Sequence, residues 1–117
     1  MPHSVLIVDD HAPFRAQARA LLEAEGFTVA GEAPDGAAAI ESVRRSRPDV
    51  VLLDVQLPGP DGFVVAERLA AETDPPAVVL ISSRSAMSYR RRLRDSTARG
   101  FIAKSELSGE CLAALLD

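Results

Sequence analysis

Short apolar runs alternate along the chain with stretches in which apolar residues recur at the spacing of a helix. The runs are rich in valine, isoleucine and leucine, and each is long enough for a short strand. They occupy residues 5–8, 27–30, 50–53, 78–81 and 101–103. Helical spacing follows the first run, where Phe14, Ala18, Leu21 and Leu22 share one face. The pattern predicts five strands, each followed by a helix.

Residues that start and stop helices agree with this alternation. Gly26 is suited to closing the first helix, and Asp35 is suited to capping the second. The fourth helix is predicted over residues 86–97 with a mostly polar surface, and the fifth over residues 107–116 with one apolar side. Each predicted strand is therefore separated from the next by a helix.

The near-continuous apolar character of the strands predicts a sheet that is covered on both faces. Strict alternation of strands and helices produces parallel strands, because right-handed crossovers carry the helices to both faces of the sheet. With 117 residues, of which 47% are apolar, the chain can build one core and is too short for two ordinary domains. We therefore predict a single doubly wound α/β domain over residues 1–117.

Polar residues stand at the ends of the predicted strands, where a doubly wound sheet collects its functional side chains. They are Asp9, Asp10, Asp54, Ser82, Ser83 and Lys104. Three carboxylates in one crevice repel one another unless a positive group compensates them. Oxygen ligands of this kind suit Mg²⁺, which retains waters and combines one or two carboxylates with a phosphate oxygen.

Asp54 is the best candidate for a nucleophile in this group. It ends the most apolar strand, which fixes its position, while Asp9 and Asp10 stand side by side as a pair suited to a metal. Lys104 is the only lysine in the chain and supplies a point charge for a phosphoryl oxygen, and Ser82 offers a hydroxyl donor. A carboxylate flanked by a divalent cation, an ammonium and a hydroxyl is chemically sufficient for phosphoryl transfer.

The distribution of charge limits the possible partners. A net charge of −4 argues against direct binding of nucleic acid, which requires a clustered cationic surface. Six arginines nevertheless lie between residues 84 and 99 beside a single aspartate, giving a local balance of +5 where the rest of the chain carries −9. We interpret this run either as a solvated helix face or as a surface that attracts an acidic partner.

The single cysteine and the amino terminus indicate the cellular compartment in which the protein is expected. Cys111 lies in an apolar helical pattern, which predicts a buried, inert thiol and a reducing environment. The first residues lack the basic and long apolar segments of a signal peptide, and no apolar run approaches the roughly 18 residues of a membrane span. We expect a cytoplasmic protein without membrane contact.

Five short motifs stand in order at the predicted strand ends. They are Val8-Asp9-Asp10-His11, the run Asp-Val-Val-Leu-Leu-Asp-Val-Gln-Leu-Pro-Gly over residues 49–59, Asp61-Gly62, Ser82-Ser83 and Gly100-Phe101-Ile102-Ala103-Lys104. Together they resemble the receiver domains of two-component response regulators over essentially the full chain. The resemblance implies a flavodoxin-like (βα)5 fold with a parallel five-stranded sheet in the order 2-1-3-4-5. Residues 29–33 with Asp35-Gly36, and His11 after the acidic pair, resemble most the receivers that precede a LuxR-type helix-turn-helix domain.

For the site, the resemblance implies that Asp54 is the phosphoacceptor. Mg²⁺ or Mn²⁺ is expected to bind Asp10, Asp54 and the backbone carbonyl of Gln56, with Asp9 acting through water. A sensor histidine kinase is the expected partner, and its phosphohistidine is the expected source of the phosphoryl group. The domain is then not a conventional enzyme, since it catalyses its own phosphorylation and a slow autodephosphorylation.

The resemblance also implies a switch. Ser82 is expected to move toward the phosphoryl group, and Phe101 to turn inward behind it, which changes the surface around the fourth helix and fifth strand. Gln56 and Arg84 occupy positions that tune the lifetime of the phosphoryl group. The fourth helix, fifth strand and fifth helix form an expected homodimer surface. The expected output is transcription regulation through a DNA-binding domain absent from this chain.

Alternative interpretations stay open for some residues and for the function. Phe101 is also interpreted as a half-buried core aromatic, and Asp9 as the N-cap of the first helix. A receiver-like module that signals through protein contacts without phosphorylation is the alternative function. A hydrolase of the haloacid dehalogenase type needs a residue between its paired aspartates, and a dinucleotide-binding domain needs glycines after the first strand; the chain has neither.

Overall fold

A computed structural model describes residues 3–116, which form one parallel five-stranded sheet in the order β2-β1-β3-β4-β5. The strands are β1 (Ser4–Val8), β2 (Thr28–Ala33), β3 (Val50–Asp54), β4 (Ala77–Ser82) and β5 (Gly100–Ala103). The helices are α1 (Ala12–Ala24), α2 (Gly36–Ser46), α3 (Gly62–Ala70), α4 (Arg90–Asp95) and α5 (Gly109–Leu116). The doubly wound fold and the predicted strand order are confirmed.

Apolar layers cover both faces of the sheet, as the unbroken apolar strands predict. Ile7 of β1 belongs to the layer that contains Leu22 of α1 and Leu112 of α5. Its neighbour Leu6 points to the other layer, with Leu69 of α3. These side chains are fully buried, and each stabilises the fold by about 1.5–3 kcal/mol relative to an exposed position. The two layers hold the strand ends at fixed positions.

The ends of the first two helices form as their sequence signals predict. Gly26 adopts φ +96° just after α1, a conformation that residues with a Cβ rarely adopt. The carboxylate of Asp35 accepts a hydrogen bond of 2.9 Å from the backbone N–H of Ala38 and caps α2. None of the helices within residues 3–116 has the length and apolar character needed to cross a membrane.

The fourth helix differs from the prediction. In place of one helix over residues 86–97, a 3₁₀ turn covers Ala86–Tyr89 and α4 covers only Arg90–Asp95. Tyr89 breaks the two apart, with φ −120° and ψ 14°. The physical reason is a shortage of apolar anchors: no residue of either element is buried, and only Tyr89 and Leu93 pack against the core.

The environment of α5 also corrects the sequence analysis. The helix begins at Gly109, because the preceding residues form a second 3₁₀ turn and the Gly109 N–H donates to Glu25 Oε2 at 2.6 Å. The prediction of a buried thiol at Cys111 is wrong, since the residue is exposed. Leu112, the next residue, takes the inward position on this helix and is fully buried.

Candidate functional site

Three carboxylates meet at the carboxyl ends of β1 and β3. Asp54 is the last residue of β3 and is only 3% exposed, while Asp9 follows β1 and is fully buried. Asp10 is exposed at the rim. One carboxylate oxygen from each residue lies within 4.8 Å of the others. The sequence analysis predicted this cluster, and the fold brings it together because parallel strands end at the same edge of the sheet.

A close approach of α3 to the strand end fixes the backbone of Asp54. The Gly62 N–H donates to the Val55 carbonyl at 2.8 Å. A Cβ at Gly62 would lie 2.8 Å from the Val55 Cα and closer still to the Asp54 carbonyl oxygen, which no side chain can do without a shift of the backbone. Glycine at this position therefore serves the site, a role beyond that of a turn residue.

Lys104 reaches the carboxylates from the end of β5. Its ammonium lies 2.5 Å from Asp9 Oδ2 and 3.3 Å from Asp54 Oδ2. The same ammonium is 4.5 Å from the centre of the Phe14 ring. Burial, the largest single influence, acts to lower the pKa of Lys104, but its contacts with Asp9 and Asp54 outweigh burial and raise the pKa. Lys104 is therefore positively charged in this site.

Asp54 is held in an environment that opposes its negative charge. Burial and then the repulsion from Asp9 raise its pKa from 3.8 to about 6, against the opposing effects of Lys104 and the Gln56 N–H. That N–H donates to Asp54 Oδ1 at 3.2 Å. One lysine thus compensates two buried carboxylates only in part, which leaves a site that favours an added cation.

The donor set fits a hard divalent cation. Asp9 Oδ1 accepts a hydrogen bond of 2.8 Å from the His11 N–H. Asp9 Oδ2 is buried and forms the 2.5 Å ion pair with the Lys104 ammonium. An all-oxygen set made of two buried carboxylates and one at the rim suits Mg²⁺ or Mn²⁺. The alternative for Asp9 as N-cap of α1 is wrong: His11 occupies that position, and no side chain caps it.

Ser82 stands at the end of β4 with a buried side chain. Its Oγ accepts from the Arg84 N–H at 3.0 Å and shares a 3.1 Å hydrogen bond with the hydroxyl of Tyr89. Within residues 3–116 it makes no hydrogen bond to Asp54. The hydroxyl predicted for the site is therefore next to it but engaged elsewhere.

A family model described as the response regulator receiver domain matches residues 5–116 of the chain. The chain belongs to this family. This receiver domain is 39% identical over 114 residues to the transcriptional regulatory protein NarL of Mycobacterium tuberculosis, covering 97% of the chain and 53% of NarL. It is 36% identical over 107 residues to the transcriptional regulatory protein PdtaR of the same species, covering 89% of the chain and 50% of PdtaR.

Solved structures support the same assignment. The signal receiver domain of the response regulator NarL from Mycobacterium tuberculosis superimposes with a TM-score of 0.84 at 35% identity, covering 98% of this chain and 97% of that one. A LuxR-family response regulator from Aurantimonas has a TM-score of 0.87 at 25% identity, covering 99% and 86% of the two chains. The receiver domain spans about half the length of the curated relatives it matches.

The remaining predicted residues of the receiver domain lie on or just after the strands β3, β4 and β5. Gln56 and Arg84 are both exposed, after β3 and β4 respectively. Phe101 is half-buried on β5 with its ring centre 6.1 Å from that of Tyr89. Tyr89 was missed by the sequence analysis, because no motif marks it and its place in the predicted fourth helix indicated a polar face. Only the packing of the 3₁₀ turn brings its hydroxyl to Ser82.

Proposed function

We propose that Asp54 accepts a phosphoryl group from the phosphohistidine of a sensor histidine kinase, and that residues 1–117 act as one receiver domain in two-component signalling. The observation that carries the proposal is the arrangement around Asp54. A buried carboxylate lies within 4.8 Å of two others and 3.3 Å from the ammonium of the only lysine in the chain. Such partial charge compensation is suited to a site that receives an anionic group together with a cation.

In the proposed reaction, a carboxylate oxygen of Asp54 forms a bond to phosphorus as the bond between phosphorus and the kinase imidazole breaks. The imidazole nitrogen keeps the electron pair of that bond. Lys104 neutralises charge on the transferred group, and the Gln56 N–H holds Asp54 Oδ1 in place. Asp10, Asp54, the Gln56 carbonyl and, through water, Asp9 would hold Mg²⁺ or Mn²⁺, which would supply further charge neutralisation.

The consequences of phosphorylation belong to the same proposal. Ser82 and Phe101 form the switch that alters the surface of α4 and β5, and Gln56 and Arg84 adjust how quickly water removes the phosphoryl group. The face of α4, β5 and α5 is the proposed homodimer surface. Since the curated relatives are transcriptional regulators of about twice the length, the proposed output is transcription regulation by a DNA-binding segment outside this chain.

Incubation with acetyl phosphate and Mg²⁺, followed by intact-mass spectrometry, tests the acceptor function. We expect the wild type to gain the mass of one phosphoryl group, and Asp54→Asn to gain none. Asp95→Asn removes an exposed carboxylate outside the site and should be modified like the wild type. Addition of EDTA should abolish the modification. A wild type without the adduct contradicts the proposal and favours a module that works without phosphorylation.

A further inference from the structure

Tyr89 connects Ser82 to an aromatic cluster outside the acceptor site. Its hydroxyl lies 3.1 Å from Ser82 Oγ. Its ring centre is 5.7 Å from that of Phe63 on α3 and 6.1 Å from that of Phe101 on β5. Tyr89 is half-buried and is the only tyrosine in the chain. The side chain therefore contacts both members of the proposed switch, Ser82 through its hydroxyl and Phe101 through its ring, and it also packs against Phe63 of α3.

The backbone at Tyr89 is the junction between the 3₁₀ turn Ala86–Tyr89 and α4. Its φ of −120° and ψ of 14° are not helical, whereas those of the next residue, Arg90, are. The hydrogen bond between Tyr89 and Ser82 lies at this junction. The contact between Ser82 and Tyr89 thus links the end of a buried strand to the start of an exposed helix.

We propose that Tyr89 is a positioning residue that holds the Ser82 hydroxyl away from Asp54 in the unmodified protein, and that breaking this hydrogen bond transmits phosphorylation to α4. This inference rests on the proposed acceptor function. Ser82 has one proton, and its Oγ already accepts from the Arg84 N–H. In the proposed switch, rotation of the Ser82 side chain brings this Oγ to a phosphoryl group on Asp54, and the rotation separates it from the Tyr89 hydroxyl.

The contacts around Phe63 provide the route to α4. Arg92 of α4 lies 4.3 Å from the centre of the Phe63 ring and forms a 2.8 Å ion pair with Asp61, the N-cap of α3. Phe63 in turn packs against Tyr89. Release of the Tyr89 hydroxyl removes the bond that ties the 3₁₀ turn to the end of β4, and leaves the ring contact with Phe63 as the link from Tyr89 to the residues that contact α4. Phe101 has no hydroxyl and cannot replace this bond.

The test is the variant Tyr89→Phe, which removes the hydroxyl and keeps the ring. Beryllofluoride with Mg²⁺ serves as a stable mimic of the phosphoryl group. Since the hydrogen bond opposes loading, we expect Tyr89→Phe to bind beryllofluoride about two- to tenfold more tightly than the wild type. In a Ser82→Ala background, Tyr89→Phe should have no effect. Ser88→Ala removes a neighbouring exposed hydroxyl and should match the wild type.

Intrinsic fluorescence gives a second readout, because Tyr89 is the only tyrosine and the chain has no tryptophan. Loading should change the tyrosine emission of the wild type and leave that of Asp54→Asn unchanged. If the wild type binds beryllofluoride and Tyr89→Phe binds it with the same affinity, the role of Tyr89 is refuted while the acceptor function stands. The same conclusion follows if Tyr89→Phe raises the affinity as much in the Ser82→Ala background as in the wild type. A wild type that neither binds beryllofluoride nor takes a phosphoryl group refutes the acceptor function and this role with it.

Discussion

Replacing Asp54 with asparagine should stabilise the metal-free protein at neutral pH, although it removes the proposed acceptor. Burial and Asp9 raise the pKa of Asp54 from 3.8 to about 6, so the folded state holds the proton more tightly than the unfolded state. Between about pH 4 and pH 6, the free energy of unfolding of the wild type therefore decreases as pH rises. Above the folded-state pKa, the carboxylate of Asp54 is charged in the folded protein, and the free energy of unfolding is lowered by the full cost of that buried charge.

The expected size of the stabilisation follows from the shift in the pKa of Asp54. A change of about two pKa units corresponds to about 3 kcal/mol. The side-chain amide introduced by Asp54→Asn keeps an oxygen to accept from the Gln56 N–H but loses the 3.3 Å contact with Lys104, which retains its ion pair with Asp9. We expect a net gain of about 1–3 kcal/mol for Asp54→Asn at pH 7.5 in EDTA, on the scale of the pKa shift.

Urea unfolding of the wild type and Asp54→Asn between pH 4 and pH 8 measures this effect. The difference in stability should be largest above pH 6.5 and should shrink toward pH 4, where the wild-type carboxyl is protonated in the folded state and partly protonated in the unfolded state. Asp95→Asn removes an exposed carboxylate and should show no such dependence. Equal stabilities of wild type and Asp54→Asn across this range would refute the argument from burial and charge repulsion.

The remaining predictions concern the scaffold of the site. Gly62→Ala puts a Cβ 2.8 Å from the Val55 Cα and should lower the free energy of unfolding by about 1–3 kcal/mol, measured by urea unfolding. A Cβ at Gly31 would have its nearest neighbour 3.6 Å away, so Gly31→Ala should lower the free energy of unfolding far less. Glu25→Ala removes the acceptor for the Gly109 N–H and should destabilise α5 by about 1–2 kcal/mol, measured by faster amide hydrogen exchange there; unchanged exchange would contradict this role.

The fold could be predicted because strand and helix periodicities are local properties of the chain. The five apolar runs became the five strands, although β2 extends to Ala33, beyond the predicted end. The fourth helix could not be predicted correctly, because its split depends on how one aromatic residue packs. Periodicity across 86–97 carries no information on whether Tyr89 bonds to Ser82.

The carboxylate cluster was predictable for a related reason. Asp9, Asp10 and Asp54 follow strands whose parallel pairing brings their ends to one edge, so the order of residues along the chain already implies their proximity. The contact of Lys104 with both Asp9 and Asp54 follows from the same topology. The predicted burial of Cys111 was wrong, since the helix turns Leu112 and Leu115 toward the core and leaves Cys111 exposed, a choice that a short, nearly all-apolar segment does not specify.

The sequence by itself determined the βα alternation, the parallel sheet and the identities of the acidic residues and lysine at its edge, because these depend on local pattern and chain order. Tertiary structure alone decided that Asp9 is buried against Lys104, that α3 approaches Asp54 closely enough to require Gly62, and that Ser82 bonds to Tyr89. Some of these contacts join residues that are distant in sequence, and others depend on the direction of a side chain. Both are decided only when several elements pack against one another.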